Sequence, residues 1–373
     1  MARRIVLYCD SPASGGFEQL VGRLANVLAD AGHDVELLYW HETFAALADH
    51  PRLHKTRLAA PAGVPLPFVR AFDPVAIWRV SRELRARHAA LIVVCQSSVE
   101  IGAHALIAAR LADIPTVSYL AFAFDFRQIG ARFGTLREWV NHTFYRLPER
   151  YIALSEFQRE LIRARVRVPV HVIPMTIPVG EYREPARRAP RTTLELGVVG
   201  VVSFATKGHD VLPDLSAALE RRGTNARLHI VGDGPDLPRL RELIAHRGVA
   251  GRFVIHGAVP YGAPREVMRT LDVLLIPSRF EGAVPLVAFE ALAEGIPFVI
   301  NDLPSTRDWN IPPELRFDRG SPDDIMRAID AALRFRASPE FEPFRRRMLA
   351  TVSEEGFARE AREVFAELLA VVR

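Results

Sequence analysis

Cysteine, lysine and long apolar runs are all scarce in this chain. Its 373 residues include two cysteines, Cys9 and Cys95, and only two lysines, Lys55 and Lys207, within a total of 48 Lys+Arg. Two cysteines, each at the end of an apolar run, exclude a disulfide-built scaffold and point to buried thiols in a reducing compartment. The longest apolar stretches, such as Ala89 to Cys95, fall far short of the roughly 20 residues that a membrane-spanning helix needs. Near the start, Ile5 to Cys9 imitates a signal-peptide core, but Asp10 ends it before the apolar stretch of about 7 to 15 residues is complete. It reads as a first strand, and the chain as cytoplasmic. Long Lys/Arg runs, zinc-ligand spacings and known nucleic-acid-reading motifs are missing, which excludes nucleic acid as the expected partner.

What is present is ordinary globular usage, 49% hydrophobic and 25% charged, over about twice the length of one domain. The formal charge is +4. Residues 1–180 hold 21 Lys+Arg against 16 Asp+Glu, and the rest 27 against 28. A basic front half suits anionic membrane surfaces or phosphorylated partners, or it is no more than arginine-rich, solvated helix faces.

Short apolar runs alternate with segments of helical period, the pattern of parallel sheets covered by helices on both faces. The fold class is α/β. Ile5–Cys9, Val35–Tyr39, Leu91–Cys95, Thr116–Leu120, Tyr151–Leu154 and Val170–Ile173 read as strands of a first domain over 1–180. Phe17–Ala31 reads as a helix closed by Gly32. The polar, proline-containing stretch 181–193 reads as a linker. A second domain over 194–335 restarts the alternation at Leu194–Val202, then Leu228–Val231, Phe253–Ile255, Val273–Ile276 and Phe298–Ile300. Helices fill 336–373, with an apolar stripe through Phe357, Ala361, Val364, Phe365, Leu368, Leu369 and Val372.

In open α/β sheets, ligands bind beyond the carboxyl ends of the strands, where helix N-termini present free N–H groups. The loop Asp10 to Glu18 contains Gly15 and Gly16, which let an anionic ligand approach the backbone or merely turn the chain. Lys207-Gly208 follows the first strand of the second domain. In a chain whose default cation is arginine, a lysine there points to a phosphate contact. Gly232-Asp233-Gly234-Pro235 is a tight turn, read equally well as geometry or as ligand contact. Residues 276–297 are the densest constellation. Pro285 suits the first helical position and Gly295 the residue past the helix end, so amides from about Val284 to Val287 would face a diphosphate. Glu290 lies on the apolar side of that helix and needs a partner, either a ribose diol or Arg279 or Arg307.

These residues resemble the retaining glycosyltransferases of family 4. The similar elements are Gly15-Gly16-x-Glu18, Ile173-Pro174-Met175, Lys207-Gly208, Gly232-Asp233-Gly234-Pro235, Pro277-Ser278-x-x-Glu281-Gly282 and Glu290-Ala291-x-Ala293-x-Gly295-x-Pro297. They run in the family's order across nearly the whole chain. The resemblance implies a GT-B fold of two facing Rossmann-like domains, with the active site between them and a C-terminal helix returning to the first. It implies catalytic roles for Lys207 and Glu281. Donor contacts would come from Gly15, Gly16, Lys207, Gly234, Ser278, Arg279, Glu281, Gly282, Ala283, Val284 and Glu290. Phe124 and Asp125 would stand on the acceptor side. Three positions depart from the family's pattern: eight residues rather than seven separate Glu281 from Glu290, Val201 replaces an arginine, and no histidine occurs within Thr116–Asp125.

The expected activity is transfer of a sugar from a UDP-, GDP- or dTDP-linked donor to a hydroxyl acceptor in polysaccharide or glycoconjugate biosynthesis, with retention. No cofactor is expected beyond that co-substrate, and no metal, because Lys207 and a helix N-terminus take the divalent ion's place. The alternatives are a non-hydrolysing sugar-nucleotide epimerase and a catalytically silent sugar-nucleotide-binding subunit. Arg132 to Val140 interleaves arginines with aromatics and reads either as a lipid interface or as a helix packed inside the first domain. On the first reading the protein sits peripherally on the inner face of the membrane, with a lipid-linked or membrane-proximal acceptor.

Overall fold

The computed structural model describes residues 4–11, 15–45, 47, 49–58, 67–182, 192–259 and 263–371. The chain divides into two compact units, Met1–Thr176 with Glu355–Arg373, and Ile177–Glu354. Residues 183–191 of the expected linker lie outside the described residues.

The first unit is built on a seven-stranded sheet of order β3-β2-β1-β4-β5-β6-β7, every pair parallel. Its strands are β1 (Arg4–Cys9), β2 (Asp34–Tyr39), β3 (Leu53–Arg57), β4 (Leu91–Gln96), β5 (Thr116–Leu120), β6 (Arg150–Ala153) and β7 (Val170–Val172). β1 and β4 are buried almost end to end, which is why they are legible as unbroken apolar runs. β3 is an addition to the sequence reading. As an edge strand it is half exposed, and Leu-His-Lys-Thr-Arg gives no apolar run. The helices are α1 (Gly16–Asp30), α2 (Pro67–Arg70), α3 (Pro74–Ala86), α4 (Ala103–Leu111), α5 (Gly134–Phe144) and α6 (Glu156–Arg163). Both cysteines are buried free thiols.

The second unit has a six-stranded parallel sheet of order β10-β9-β8-β11-β12-β13. In chain order it comprises β8 (Leu194–Val199), α7 (Phe204–Lys207), α8 (Leu212–Arg221), β9 (Ala226–Val231), α9 (Leu237–His246), β10 (Phe253–Gly257), α10 (Ala263–Met268), β11 (Val273–Ile276), α11 (Leu286–Ala293), β12 (Phe298–Asn301), β13 (Arg316–Phe317), α12 (Pro322–Ala337) and α13 (Phe341–Ala350). The last helix, α14 (Glu354–Val371), falls within the first unit from Glu355 onward. Most boundaries lie within one or two residues of the sequence reading, and two that bear on the site differ from it. β8 stops at Val199 rather than Val202, because Gly200 turns the chain at φ +139 and leaves Val201 exposed. Pro285 is the residue before α11, extended at φ −69 and ψ 149, and not its first helical residue. Gly32 and Gly295 take the left-handed position past α1 and α11.

Candidate functional site

In each sheet the chain order reverses between two neighbouring strands, β1 and β4 in the first and β8 and β11 in the second. The crevice outside the carboxyl ends at such a switch point is where open α/β sheets bind ligands. In the second unit the loops after β8 and β11 meet there. Ser203 caps α7 through the Thr206 amide (3.3 Å), and its carbonyl accepts from the Lys207 and Gly208 amides at 3.0 and 2.9 Å. Gly208 is at φ +68, and a Cβ on it would come within 2.0 Å of the Pro277 carbonyl oxygen. Only glycine lets the lysine loop lie against the end of β11.

That contact brings together the principal residues of the sequence reading. Lys207 Nζ lies 2.5 Å from Glu281 Oε1, which also accepts from the Ser278 hydroxyl at 2.6 Å. The Glu281 side chain is 3% exposed and that of Lys207 31%. The anion is thus held inside while the ammonium reaches outward. Asn301, at the end of β12, donates to the Ser278 carbonyl at 2.9 Å and accepts from the Arg319 amide at 3.3 Å. Lys207, His209, Pro277, Ser278, Glu281 and Pro285 line a narrow pocket at this switch point. Burial pushes the His209 imidazole down to about 4, against the opposing pull of the Ser203 backbone. His209 is therefore neutral at ordinary pH.

The arginines were less legible. The Arg279 amide donates to the Thr206 carbonyl (2.8 Å), its Nε to the Phe204 carbonyl (2.9 Å), and its Nη2 to Asp210 Oδ2 (2.7 Å). Arg319 grips both oxygens of the same Asp210 at 3.0 and 3.1 Å. Arg319 was missed by the sequence reading: it is 109 positions from Asp210, and no motif surrounds it.

Gly282, Ala283 and Val284 form a buried bend before α11. Ala288, Phe289, Ala291, Leu292 and Ala293 bury most of that helix, while Glu290 stands half-buried on it. Arg307 bonds Asp302 at 3.2 Å, as Arg279 bonds Asp210. Gly234 has a steric role whatever else it does: a Cβ there would come within 2.3 Å of the Val202 carbonyl oxygen.

In the first unit Gly15 precedes α1 and Gly16 begins it, after β1. Asp125, after β5, takes Nε and Nη2 of Arg127 at 3.0 and 2.6 Å, and this pairing holds its carboxyl below the usual range. Phe124 stacks on Phe122, ring centres 4.9 Å apart. A second cluster went unassigned in the sequence. Asp10, at the end of β1, is buried, pairs with Arg70 and lies 3.8 Å from His104 Nε2, which meets the Tyr8 hydroxyl at 2.8 Å. Among the described residues no group of three or more His, Cys, Asp or Glu is placed to hold a metal ion, and no helix is long and apolar enough to cross a membrane.

Two family models match this chain. Glycosyltransferase Family 4 matches residues 14–180, and Glycosyl transferases group 1 matches residues 186–348. The lipopolysaccharide 1,6-galactosyltransferase of Salmonella typhimurium is 28% identical over 185 residues, 47% of this chain and 50% of that protein. The 2-deoxystreptamine N-acetyl-D-glucosaminyltransferase of Streptomyces fradiae is 37% identical over 106 residues, 28% of this chain and 25% of that protein. The chain thus spans a quarter to a half of these relatives' length. Among solved structures, sucrose-phosphate synthase from Thermosynechococcus elongatus has a TM-score of 0.80 at 18% identity, covering 99% of both chains. Anabaena HepE in complex with UDP and glucose has a TM-score of 0.76 at 16% identity, covering 98% of this chain and 100% of that one. The two parallel-sheet units are those of the GT-B fold. Taken with the family models, which between them account for nearly the whole chain, this architecture makes the protein a member of glycosyltransferase family 4, the group 1 glycosyl transferases.

Proposed function

We propose that this protein moves a sugar from a nucleotide-diphosphate donor to a hydroxyl acceptor with retention of configuration. The observation that carries the proposal is the Lys207–Glu281–Ser278 constellation at the carboxyl ends of β8 and β11. The donor diphosphate takes the Lys207 ammonium as counter-charge, with the N-terminal amides of α11 and the Arg279 guanidinium beside it. Glu290 accepts from the ribose hydroxyls. Glu281 orients Lys207 and faces the transferred sugar together with the amides of Gly282 to Val284.

The chemistry is a front-face displacement. The acceptor oxygen bonds the anomeric carbon on the face from which the diphosphate departs, the old carbon–oxygen bond breaks, and a leaving phosphate oxygen takes the acceptor proton. The protein's contribution is positioning and stabilisation of the charge that builds on the phosphate. Lys207 supplies that charge without a divalent ion, so activity survives a chelator. The acceptor is membrane-proximal, in keeping with the basic front half and with a relative that acts on lipopolysaccharide. HepE structures holding UDP-glucose make uridine donors the first to try.

A thermal-shift screen with UDP, GDP and dTDP tests the donor site, since a ligand at about 100 times its dissociation constant stabilises by about 2.7 kcal/mol. Product analysis by NMR then reads the anomeric configuration. Inversion overturns the mechanism. Acceptor-independent isomerisation of the donor makes the protein an epimerase, and binding without turnover a silent subunit.

A further inference from the structure

Ten large apolar side chains stand exposed among the described residues, and seven of them fall in two short stretches of the first unit, Val69–Trp78 and Phe133–Trp139. Scattered singly, such residues mean little. Gathered in one place, they mark a surface that something covers. α2 and the start of the first stretch pack on α5: the Phe72 ring lies against Phe144 of α5 at 5.4 Å between centres, and Arg137 of α5 lies over the Phe68 ring of α2 at 5.8 Å.

Trp139 is 77% and Trp78 59% exposed; Phe72, Val75, Phe133 and Leu136 are each at least half exposed. Arg79 and Arg82 of α3 are exposed, as are Arg132 and Arg146, which flank α5. Arg82 lies over the Trp78 ring and Arg132 over the Phe133 ring, each 4.9 Å from the centre. The acidic side chains of these segments are engaged locally. Asp73 caps α3 through the Val75 and Ala76 amides, Glu83 pairs with Arg87, and Glu138 accepts from the Phe126 amide at 3.1 Å. The surface is therefore apolar and positive, with its negative charges turned to local partners.

We propose that this face of α3 and α5 docks on a phospholipid bilayer that carries anionic headgroups. Tryptophan settles at the boundary between headgroups and acyl chains. Arginines beside it bury their methylene stems along the apolar surface and keep the guanidinium at the phosphates. A second copy of the chain suits the surface poorly, because a two-fold contact would set this positive patch against the same positive patch. The surface is also tied to the carboxyl ends of the first sheet, the side on which the proposed acceptor would enter. α5 follows the loop of Phe124 and Asp125 at the carboxyl end of β5, and Arg70 ties α2 to Asp10 at the carboxyl end of β1. The inference rests on the reading of a membrane-proximal acceptor, which it supplies with an address.

Vesicle flotation of the full chain is the test, with neutral phosphatidylcholine vesicles and with vesicles also containing phosphatidylglycerol. Wild-type protein floats with the anionic vesicles at low salt, and binding falls at least ten-fold at about 0.5 M salt, where the Debye length shrinks to a few ångströms. Trp78→Ala with Trp139→Ala, and separately Arg79→Glu with Arg82→Glu, lower binding at least ten-fold while nucleotide affinity is unchanged. Failure of wild-type protein to float at low salt overturns the proposal, as do variants that float like wild type. A concentration-dependent dimer that the tryptophan substitutions abolish assigns the face to a second copy and also overturns it. Transfer to a water-soluble acceptor, measured alongside, reports on the glycosyltransferase reading independently of the membrane.

Discussion

The ammonium of Lys207 lies 2.5 Å from a Glu281 oxygen across 74 positions of sequence, and the carboxylate is the buried partner. Removing the lysine therefore has two consequences that measurement can separate. Lys207→Met deprives the diphosphate of its counter-charge, and nucleotide affinity measured by calorimetry falls about ten-fold or more, the loss of a charged contact worth roughly 1.5 to 3 kcal/mol. It also leaves the Glu281 carboxylate buried with only the Ser278 hydroxyl, so the ligand-free protein melts lower. Adding Glu281→Gln to Lys207→Met recovers melting temperature but not affinity. Unchanged affinity in Lys207→Met would mean that an arginine carries the diphosphate.

Glu290 gives a cleaner separation. It stands half-buried on α11, one turn in from the helix end that faces the site. Glu290→Gln keeps the shape, halves the acceptor capacity and turns an NH₂ toward the ribose diol. Nucleotide affinity drops about ten-fold or more, again roughly the 1.5 to 3 kcal/mol of a charged hydrogen bond, while the ligand-free melting temperature stays within a degree or two. A variant that melts lower yet binds nucleotide normally would assign Glu290 to the scaffold.

Acid sensitivity isolates His209. Its folded value, about 4, lies below the ordinary value of 6.5 because burial disfavours the imidazolium. A base with a depressed folded pKa contributes stability that is complete above the unfolded value and is lost as pH falls from 6.5 toward 4. Between pH 7.5 and pH 5 the wild type should lose about 2 kcal/mol more than His209→Gln in urea unfolding, by proton linkage. His33, His104, His171 and His256 are depressed in the same direction and cancel in the difference. Equal acid losses in the two proteins would place His209 in contact with water.

The residues also mark where sequence is informative. β1, β4 and β11 are buried on both faces of a sheet, so each is an uninterrupted apolar word. β3 at the edge and the two-residue β13 owe their pairing to neighbours, and nothing local announces them. Lys207 stood out because lysine is rare in this chain, and Glu281 and Ser278 because they share a motif with α11. Asp210 and Arg319 meet only through the tertiary fold. The stretch from Arg132 to Val140 had two readings, since an amphipathic helix can bury or expose its aromatics. Both faces are present in α5: the Trp139 ring is 77% exposed, while Asn141 and Phe144 are buried in the first unit.

At the proposed donor site, Arg279 and Arg319 are the two candidates for the cation that the family resemblance places at Val201. Both candidates bond Asp210, but their surroundings differ. The Arg319 side chain is 18% exposed and holds both carboxylate oxygens, whereas that of Arg279 is 39% exposed and holds one. The more enclosed Arg319, which reaches both oxygens through Nη2, contributes mainly to the scaffold, and the more exposed Arg279 guanidinium, held beside the Lys207 loop by the Phe204 carbonyl and one Asp210 oxygen, is the one an incoming anion reaches. Arg279→Ala should therefore lower nucleotide affinity several-fold, with a change in melting temperature no larger than a surface ion pair worth up to about 1 kcal/mol produces. Arg319→Ala should do the reverse, lowering the melting temperature and leaving the affinity of the folded protein close to wild type. If instead Arg319→Ala abolishes nucleotide binding at a temperature where the protein is fully folded, Arg319 is the second cation and Arg279 belongs to the scaffold.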